Sequence, residues 1–535
     1  MKYDYIIIGA GSAGCVLANR LSANPATTVL LLEAGKPDTK LEIKIPAAYG
    51  QLNYTDVDWG FYTEPQSHVD NRKMYQPRGK TLGGCGSTNA MAYVRGHAAD
   101  YDYWAKTGCK GWSYAELLPF FKKSEHNEQH SDDFHSKAGE LNVTYAKEYR
   151  TPLADAFVAA CVENGIPATP DFNGKQQEGA GLLQFTIKNG QRCSPAAAFL
   201  KPILHRKNLT VCTQALVERI LIENERAIGV SFKTKTGIET AHCQKEVILS
   251  SGSFGSPQIL MLSGIGAPDE LKKHNIPVKK SLEGIGKNLH DHLMYGVTCL
   301  SNWHGTMNDV LKPFNQVKHL IHFLIAKKGA LTISPLEANA FVKTNPNLSQ
   351  PDLQIMFVPG HIGNEKDNVD IYKPASYPKT SGFTLLPTLL QPESRGYVTL
   401  RSANAADAPI IQPNYLHAAA DRQLLLNSFK LIKNILLSNA FSKYRIGNLN
   451  YPSQHHTDAQ IEAHIRRTLE CVYHPVGTCK MGNDALSVVD AQLRVHGIAG
   501  LRVADGSIMP RICSGNTNAA CIMIGEKAAD MILNP

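Results

Sequence analysis

The chain has 535 residues, a length that predicts about three to four domain-sized units or two large intertwined ones. Its 55 Lys and Arg residues against 47 Asp and Glu leave a net charge of +8, and the longest basic clusters are pairs such as Lys122-Lys123 and Lys279-Lys280. This pattern argues against a nucleic-acid-binding arm and gives no polybasic membrane patch. At 19% charged residues, the composition also argues against a disordered chain or a coiled coil.

No apolar run reaches the length of about 18 residues that crosses a bilayer, so no transmembrane segment is expected. The apolar-rich start, residues 6–21, is broken by Gly and Ser positions and carries Asn19-Arg20 near its end. A buried strand followed by a helix explains it better than a signal peptide does. Twelve cysteines in such a chain indicate reduced, mostly buried thiols. We therefore expect a cytoplasmic protein, with a peripheral membrane contact left open.

The first predicted elements alternate strand, helix and strand, at residues 5–8, 14–21 and 28–32. Residues 41–80 resemble loop with short elements. Helical spacing follows at 112–126 and 152–164, and the next predicted elements are two strands across a turn near Asn224 within 211–230, a buried strand at 246–250 and a helix at 256–262.

The second half of the chain gives fewer local signals. Residues 300–380 carry no strong pattern, whereas 383–390 and 396–401 are predicted as antiparallel strands. Three helices complete the prediction, at 424–437, 459–469 and about 518–533. We find no internal repeat and no low-complexity segment.

A GxGxxG motif, Gly9 to Gly14, lies between the first strand and the first helix. Glycines at these positions allow a tight turn, a close approach of the backbone to a pyrophosphate and close packing of helix on strand. The helix start adds free N–H groups and the positive end of its dipole. Glu33 follows the third glycine by 19 residues, where an acid should hold ribose hydroxyls. Because a carboxylate disfavours a 2′-phosphate, the pattern favours FAD or NAD over NADP.

Two further glycine-rich segments need an explanation. Residues 78–89 contain four glycines within eight residues, which is typical of backbone lying against a large planar ligand, although a flexible surface loop is the alternative. Residues 252–260 follow a predicted strand, with Pro257 at a favourable position for a helix start. The second segment alone is more often structural than catalytic.

His474, followed by Pro475, is the strongest candidate for catalysis near the C-terminus. A single histidine is more often structural, so the surrounding residues must decide. Cys471 and Cys479 flank it, but this Cys-x2-His-x4-Cys spacing matches no usual zinc site and lacks a fourth ligand, so no metal is expected. The segment 514–518, Ser-Gly-Asn-Thr-Asn, opens the last predicted helix, and helix capping alone would explain its Asn and Thr residues.

Taken together, the motifs resemble the glucose–methanol–choline (GMC) oxidoreductase family over essentially the whole chain. The residues that carry the resemblance are the fingerprint at 9–14, the glycine-rich stretch 78–97, and the segments 252–266, 284–292, 474–482, 503–510 and 515–518. Within the family, the sequence looks closest to choline dehydrogenases and to dye- or quinone-linked alcohol dehydrogenases.

The resemblance implies a mixed α/β fold, with a Rossmann-type FAD-binding domain and a substrate-binding domain built on an antiparallel sheet. We expect residues 1–300 to be mainly FAD-binding with insertions of the substrate domain, 301–480 to be mainly the substrate domain, and 481–535 to return to the FAD domain. The FAD-binding residues that we expect are Gly9, Gly11, Ser12, Ala13, Gly14, Glu33, Ala34, Gly83, Gly84, Ser87, Asn89, Ala90, Val217, Ser251, Gly252, Asp505, Gly506, Asn516 and Thr517.

By similarity, His474 is the expected active-site base, and Asn518 the residue that orients the substrate oxygen beside it. An imidazole suits proton removal near neutral pH, the flavin takes the hydride, and an amide can only donate and orient. Glu337 lies about where choline-oxidising relatives also carry a glutamate, and it is a weaker candidate for contact with a quaternary ammonium. A solvated or structurally paired Glu337 is the alternative.

Several positions depart from the family pattern. Thr88 stands where some members carry a histidine that binds FAD covalently, so we expect non-covalent FAD. Cys85, Gly506 and Cys521 replace residues that are usual near the flavin. None of these changes removes the expected base or its partner.

The expected function is oxidation of a primary alcohol, choline or an aliphatic or aromatic alcohol, to the aldehyde, with electrons passed to a quinone-type acceptor. An oxidase that uses oxygen and makes peroxide is the first alternative. A non-redox flavoprotein of the lyase or photodecarboxylase type is the second.

Overall fold

A seven-stranded sheet forms the first layer of the protein, which is known from a computed structural model describing residues 2–363 and 369–534. Its central strands are parallel, and a long antiparallel hairpin extends one edge. In spatial order the strands are Leu209–Thr213, Val29–Glu33, Lys2–Ile8, Gly237–Leu249, Arg226–Thr234 and Leu216–Glu223, with Leu501–Val503 also paired to Gly237–Leu249.

The helix Ser12–Leu21 follows the first strand and packs against the last helix, Thr517–Leu533. Close approach of these two helices depends on Gly525, because a Cβ atom there would lie 2.9 Å from the Cα of Ala13. Every residue of the strand Val29–Glu33 is buried, as expected for a parallel strand covered on both faces. The start of the chain and its C-terminal helix thus belong to one layer.

An eight-stranded, antiparallel sheet forms the second layer. Three helices pack on it, Pro152–Glu163, Ala419–Leu437 and Asp458–Thr468, and bury a second apolar core. In spatial order the strands are Arg445–Tyr451, Val297–Ser301, Gly382–Leu389, Leu353–Val358, Ala338–Val342 and Gly179–Leu182. Leu293–Met294 also pairs with Gly382–Leu389, and Glu470–Cys471 pairs with Leu293–Met294.

Short elements connect the two layers. The remaining α-helices of the described residues are Leu41–Lys44, Ala98–Lys106, Tyr114–Ser124, Gly252–Leu262, Pro268–Lys273, Met307–Val310 and Pro313–Ala326. The remaining strands form two-stranded pairs, Phe61–Tyr62 with Tyr75–Gln76, Ile187–Lys188 with Gln191–Arg192, Ile265–Gly266 with Lys280–Ser281, and Tyr397–Thr399 with Ile410–Gln412. A four-stranded sheet consists of Ala92–Tyr93, Gln184–Phe185, Leu141–Tyr145 and Glu125–Asn127.

The strongly periodic predictions are confirmed, from the first strand–helix–strand unit to the last helix. Two predictions need correction. The strands at 382–389 and 397–399 exist but do not pair with each other, because the second pairs with Ile410–Gln412 in a separate sheet. Residues 300–380, where no pattern was found, contain two sheet strands and the helix Pro313–Ala326; residues 364–368 of that stretch lie outside the described residues.

Within the described residues, no helix combines the length and apolar character needed to span a bilayer. All twelve cysteines, each in the described part of the chain, are free thiols. Most are buried, in agreement with the prediction of unbridged, buried cysteines.

Candidate active site

A large cavity extends from the carboxyl ends of the parallel strands to the antiparallel sheet. At the first sheet it is lined by Ile8, Glu33 and Ser250, and at the second by Met356 and Leu386. The carboxyl edge of a parallel sheet is where such folds bind ligands. The sequence motifs described above converge on this cavity.

The glycine loop after the first strand is shaped by close backbone contacts. Gly9 has φ +99°, and a Cβ atom there would lie 2.5 Å from the carbonyl oxygen of Ser250. A Cβ atom on Gly14 would lie 2.0 Å from the carbonyl oxygen of Gly9, so this glycine permits helix–strand packing, as predicted. The second glycine-rich segment lies against the first, since a Cβ atom on Gly84 would be 2.8 Å from the Cα of Gly11. The first helix therefore begins at an open edge of the cavity.

Glu33 lines the cavity at the end of its strand. Its carboxylate accepts hydrogen bonds from the backbone N–H groups of Ala10, at 2.9 Å, and Gly35, at 2.7 Å. Burial raises its pKa to about 7, against the effect of these two N–H donors. Glu33 thus stabilises the glycine loop while facing the region where ribose hydroxyls were predicted.

Asp505 connects three segments of the cavity wall. It accepts hydrogen bonds from the N–H of Gly252 at 2.9 Å, the hydroxyl of Ser256 at 2.6 Å and the N–H of Ser507 at 2.8 Å. The start of the helix Gly252–Leu262 is therefore held against the C-terminal segment.

Most of the predicted cofactor residues line this cavity. They are Gly9, Gly11, Ser12, Ala13, Glu33, Ala34, Gly84, Asn89, Ala90, Val217, Ser251, Gly252, Asp505, Gly506, Asn516 and Thr517. Gly14, Gly83 and Ser87 are not part of the wall. The hydroxyl of Ser87 is fully buried and donates to the carbonyl of Leu82 at 2.7 Å, and Gly83 packs on Ser87, so both support the loop from behind.

His474 lines the cavity and is buried. Its backbone N–H donates to Asp291 Oδ1 at 2.8 Å, and the preceding Tyr473 has a φ of +64°, an uncommon conformation for a large residue. Burial lowers the pKa of the His474 imidazole well below its usual value, and the positive charge of nearby Arg78 lowers it further. The imidazole is therefore neutral near pH 7 and able to accept a proton.

The hydrogen bonds around His474 also determine which of its nitrogens is free. His292 Nε2 lies 3.0 Å from the carbonyl oxygen of Leu390, which can only accept, so Nε2 carries the proton. Burial lowers the pKa of His292 to about 3, so its Nδ1 has a lone pair. His474 Nδ1 lies 3.0 Å from that atom and must donate to it. His474 Nε2 is consequently the unprotonated, basic nitrogen.

Asn516, and not Asn518, contacts the basic nitrogen of His474. Asn516 Nδ2 lies 3.3 Å from His474 Nε2, whereas Asn518 Nδ2 donates to the hydroxyl of Ser12 at 2.8 Å. The placement expected for Asn518 is therefore corrected. Asn518 lines the same cavity but connects the last helix to the glycine loop.

Glu337 does not line the cavity, contrary to its candidacy as a substrate contact. It is buried, and its Oε2 accepts hydrogen bonds from the N–H of Thr151 at 3.0 Å and the hydroxyl of Thr151 at 2.6 Å. Burial raises its pKa to about 7. Its neighbour Leu336 lines the cavity instead. Glu337 is therefore a structurally paired residue, which was the alternative interpretation.

The departures from the family pattern lie in the cavity wall. Gly506 and Cys521 are neighbours, since a Cβ atom on Gly506 would lie 3.3 Å from the sulfur of Cys521. A smaller residue at 506 thus accommodates the thiol at 521. Thr88 and Cys85 also line the cavity, and the sulfur of Cys85 accepts from the N–H of Gly79 at 3.4 Å.

Sequence reasoning missed the residues that support His474. His292 and Asp291 were noted only as part of a motif, and Arg78 only as the start of a glycine-rich segment. Arg78 donates to the carbonyl of Tyr473. Burial raises the pKa of Asp291 to about 7, and the positive charge of Arg78 acts in the opposite direction. Two histidines and an aspartate within residues 290–292 are the one local signal that could have marked this segment.

Comparison with known proteins identifies the chain. The GMC oxidoreductase family models match residues 3–294 and 392–525. The chain belongs to the GMC oxidoreductase family. It is 41% identical to "Alcohol dehydrogenase [acceptor]" of Pseudomonas putida, covering 99% of this chain and 96% of the relative. It is also 41% identical to the mitochondrial choline dehydrogenase of Homo sapiens, covering 99% and 90% of the two chains.

Solved structures agree with this family. Pyridoxine 4-oxidase from Mesorbium loti superposes with a TM-score of 0.88 at 30% identity and covers 98% of each chain. Formate oxidase superposes with a TM-score of 0.91 at 27% identity, over 99% of this chain and 98% of the other. The predicted GMC fold is therefore confirmed, and this GMC oxidoreductase is an FAD-dependent enzyme that oxidises alcohol groups.

The residues present fit FAD. The first helix points its free N–H groups at the cavity beside Glu33, and a Cβ atom on Gly252 would meet nothing within 4 Å, so backbone is open to a ligand there. Asn516 Oδ1 is buried without a hydrogen-bond partner among the described residues, which suits a bound donor. FAD bound in this cavity would supply the acceptor for a hydride from the alcohol carbon.

The neutral state of His474 predicts the acid side of the pH profile. Because its pKa lies well below the ordinary value of 6.5, the base stays unprotonated as the pH falls through 6.5. We expect kcat/KM to decline only below that pH. Asp291→Asn is the control, since Asp291 itself has a pKa of about 7. A decline at or above pH 6.5 that persists in Asp291→Asn would contradict the assignment.

His292 is expected to act through His474 by fixing its tautomer. His292→Leu removes the acceptor for His474 Nδ1 and should lower kcat/KM about 10²-fold, within the range of acid–base effects. It should also move the acid limb to lower pH, because neutral His292 accepts from His474 Nδ1 and so favours the protonated imidazole. His292→Gln, which can accept from His474 and donate to Leu390, should restore most of the activity. Equal losses of kcat/KM in both variants, with the acid limb of the pH profile unchanged, would indicate a merely structural role for His292.

Proposed function

We propose that this enzyme oxidises an uncharged, apolar primary alcohol to the aldehyde, with His474 Nε2 as the base. The observation that carries this proposal is the chain of contacts from Leu390 through His292 to His474, which leaves Nε2 basic and facing the cavity. The substrate hydroxyl would donate to Nε2, and proton transfer to it would accompany loss of hydride from the carbon.

Asn516 is proposed to hold the substrate oxygen. Its Nδ2 carries two protons, one of which points to His474 Nε2, at 3.3 Å. When an alcohol takes that position, the amide can donate to the oxygen as negative charge develops there. The adjacent start of the helix Thr517–Leu533 favours that charge as well.

The composition of the cavity wall supports an apolar substrate over choline. Near the antiparallel sheet it is lined by Met294, Met307, Met356, Val358, Ile362, Leu386 and Val472. Among the described residues, Glu33 and Asp505 are the only acidic side chains in the wall, and both accept hydrogen bonds from the chain itself. Tyrosines such as Tyr372 could contact a cation, but no uncommitted carboxylate accompanies them.

An anaerobic titration followed through the oxidised flavin band tests this function. We expect 1-hexanol and 1-octanol to bleach the band at concentrations at least about tenfold lower than choline, because each additional buried methylene favours the apolar alcohol. Benzyl alcohol tests the aromatic class. Glu337→Gln should leave the order unchanged. Bleaching by choline at the lower concentration would overturn the substrate assignment, and no bleaching by any alcohol would overturn the proposed reaction.

Electron transfer to a quinone-type acceptor, and not to oxygen, is also proposed. The relative named "Alcohol dehydrogenase [acceptor]" supports a separate acceptor, although its name does not state the kind. Slow return of the bleached band in air, and fast return with a quinone, are expected. Rapid return in air with peroxide formation would make the enzyme an oxidase.

Non-covalent binding of FAD is proposed from Thr88, which stands in the cavity wall where a tethering histidine would be needed. Denatured and filtered protein should release its flavin. Flavin retained by the denatured chain would contradict this and point to another nucleophile in the wall, such as Cys85.

A further inference from the structure

The helix Pro313–Ala326 leaves a large apolar face uncovered. Among its 14 residues only Phe323 is buried, where it packs with Ile45, Ala48 and Leu331. Phe314 and Ile325 are each 82% exposed. The exposed apolar side chains of this helix are Phe314, Val317, Leu320, Ile321, Leu324 and Ile325.

These six side chains form one stripe, here named the 314–325 face. At 3.6 residues per turn they lie within about 140° of the helix circumference, and Phe323 lies outside that arc on the side of the protein core. The stripe thus points away from the molecule. Monomeric proteins rarely expose so continuous an apolar patch unless it contacts a partner or a membrane.

Within the segment that carries the 314–325 face, the charged side chains have one sign. No acidic residue occurs from Val310 to Leu336, whereas Lys312, Lys318, Lys327 and Lys328 occur there with His319 and His322. Lys312 pairs with Asp309, and Lys328 lies 3.9 Å from Glu148. In the described structure Lys318 and Lys327 make no ion pair. Only Lys327 and Lys328 are adjacent in the sequence, so no basic cluster longer than a pair marks this surface.

We propose that the 314–325 face binds the surface of an anionic phospholipid bilayer. A helix with an apolar stripe bordered by lysines lies in the plane of the membrane interface, with the stripe among the acyl chains and the lysines at the headgroups. In the described structure no ion pair neutralises Lys318, or Lys327, whose Nζ lies 4.6 Å from the centre of the Phe323 ring. Both charges are therefore complementary to anionic headgroups. The helix is too short to span the hydrocarbon core, so it would rest on the bilayer.

A second copy of the chain is a poorer occupant. The helix is about 21 Å long and about 10 Å wide, so two such faces meet over roughly 200 Å² per copy. A stable protein interface needs about 800 Å² per partner. A symmetric contact would also bring the Lys318 residues of two copies near each other.

The position of the face relative to the cavity gives this contact a use. Phe323 packs on Ala48 of the 3₁₀-helix Pro46–Leu52, whose Tyr49 and Gly50 line the cavity. The preceding helix, Met307–Val310, contributes Met307 to the same wall. Binding at the 314–325 face would place this part of the cavity wall close to the bilayer interface, where apolar alcohols and lipid quinones concentrate.

Vesicle sedimentation of the purified holoenzyme tests the proposal, with vesicles of phosphatidylcholine alone or mixed with phosphatidylglycerol. We expect binding to the mixed vesicles that weakens with salt. Phe314→Glu/Ile325→Glu should lower that binding at least about tenfold, and Lys318→Glu/Lys327→Glu should remove the preference for the anionic lipid. Leu204→Glu/Ile238→Glu is the matched control, since both residues are exposed on other elements, and it should bind like the unchanged protein.

Flavin content and oxidation of a short alcohol in the absence of vesicles should be the same in all variants, which separates this proposal from the proposed reaction. Failure of the unchanged protein to bind either kind of vesicle would overturn it. So would equal binding by Phe314→Glu/Ile325→Glu. A dimer in light scattering that this variant dissociates, without vesicle binding by the unchanged protein, would assign the face to a second copy of the chain instead.

Discussion

Replacing His474 with alanine is expected to slow flavin reduction by a saturating alcohol about 10²–10⁴-fold, while the flavin stays bound. The substitution removes the only neutral imidazole nitrogen that the described structure presents to the cavity beside Asn516. Stopped-flow reduction under anaerobic conditions measures the chemical step directly, and the flavin absorbance per chain measures cofactor binding. Near-normal reduction in this variant would disprove the assignment of the base.

His464→Ala is the matched control for that experiment. His464 is also buried and hydrogen-bonded, with Nε2 3.0 Å from the carbonyl of Gly296, but it lies outside the cavity wall. Its replacement should cost stability and leave reduction per bound flavin within a few-fold. Imidazole added to His474→Ala should restore part of the rate, because the truncated side chain leaves space beside His292. Equal slowing in both variants would mean that the loss reflects damaged packing.

The fold could be predicted where its signals are local. The turn at Gly9, the buried strand Val29–Glu33 and the last helix are each specified by neighbouring residues, and all three were found. The helix Pro313–Ala326 was missed although its apolar residues recur at the spacing of an amphipathic helix. Its apolar face is exposed, so its presence does not follow from the packing of the core. The pairing of residues 397–399 depends on a strand 11 residues further on, in a segment without a strong pattern.

The site could be predicted in its parts but not in its connections. His292 and His474 are 182 residues apart, and only the folded chain shows that their Nδ1 atoms meet. Glu337 illustrates the opposite error. It directly precedes the strand Ala338–Val342, where successive side chains point to opposite faces, so Leu336 reaches the cavity and Glu337 reaches Thr151. A motif fixes which residues occur near a site, whereas the register of the strand decides which of them face it.

The same geometry separates Asn516 from Asn518. Positions two apart at a helix start are rotated by about 200°, so their side chains cannot both reach His474. Asn516 immediately precedes the helix Thr517–Leu533, and its amide contacts His474 Nε2. Asn518 is the second residue of that helix, and its amide donates to the hydroxyl of Ser12. Sequence alone gives two asparagines in one motif and no means of choosing between them.

Asn516→Ala is therefore expected to slow flavin reduction about 10²–10³-fold, the range observed when a donor to a developing oxyanion is removed. Asn518→Ala should leave reduction per bound flavin within a few-fold. Its loss of one hydrogen bond to Ser12, worth about 0.5–1.5 kcal/mol, should instead weaken flavin binding and lower the melting temperature of the holoenzyme.

Stopped-flow reduction and flavin titration of the two variants, made side by side, distinguish these roles. Because each variant removes one amide from the same motif, differences in general packing are small and each protein controls for the other. A slow Asn518→Ala and a nearly normal Asn516→Ala would return the orienting role to Asn518. It would also mean that binding of FAD rearranges the start of the last helix, since the contact with His474 then belongs to a residue whose amide otherwise holds the glycine loop.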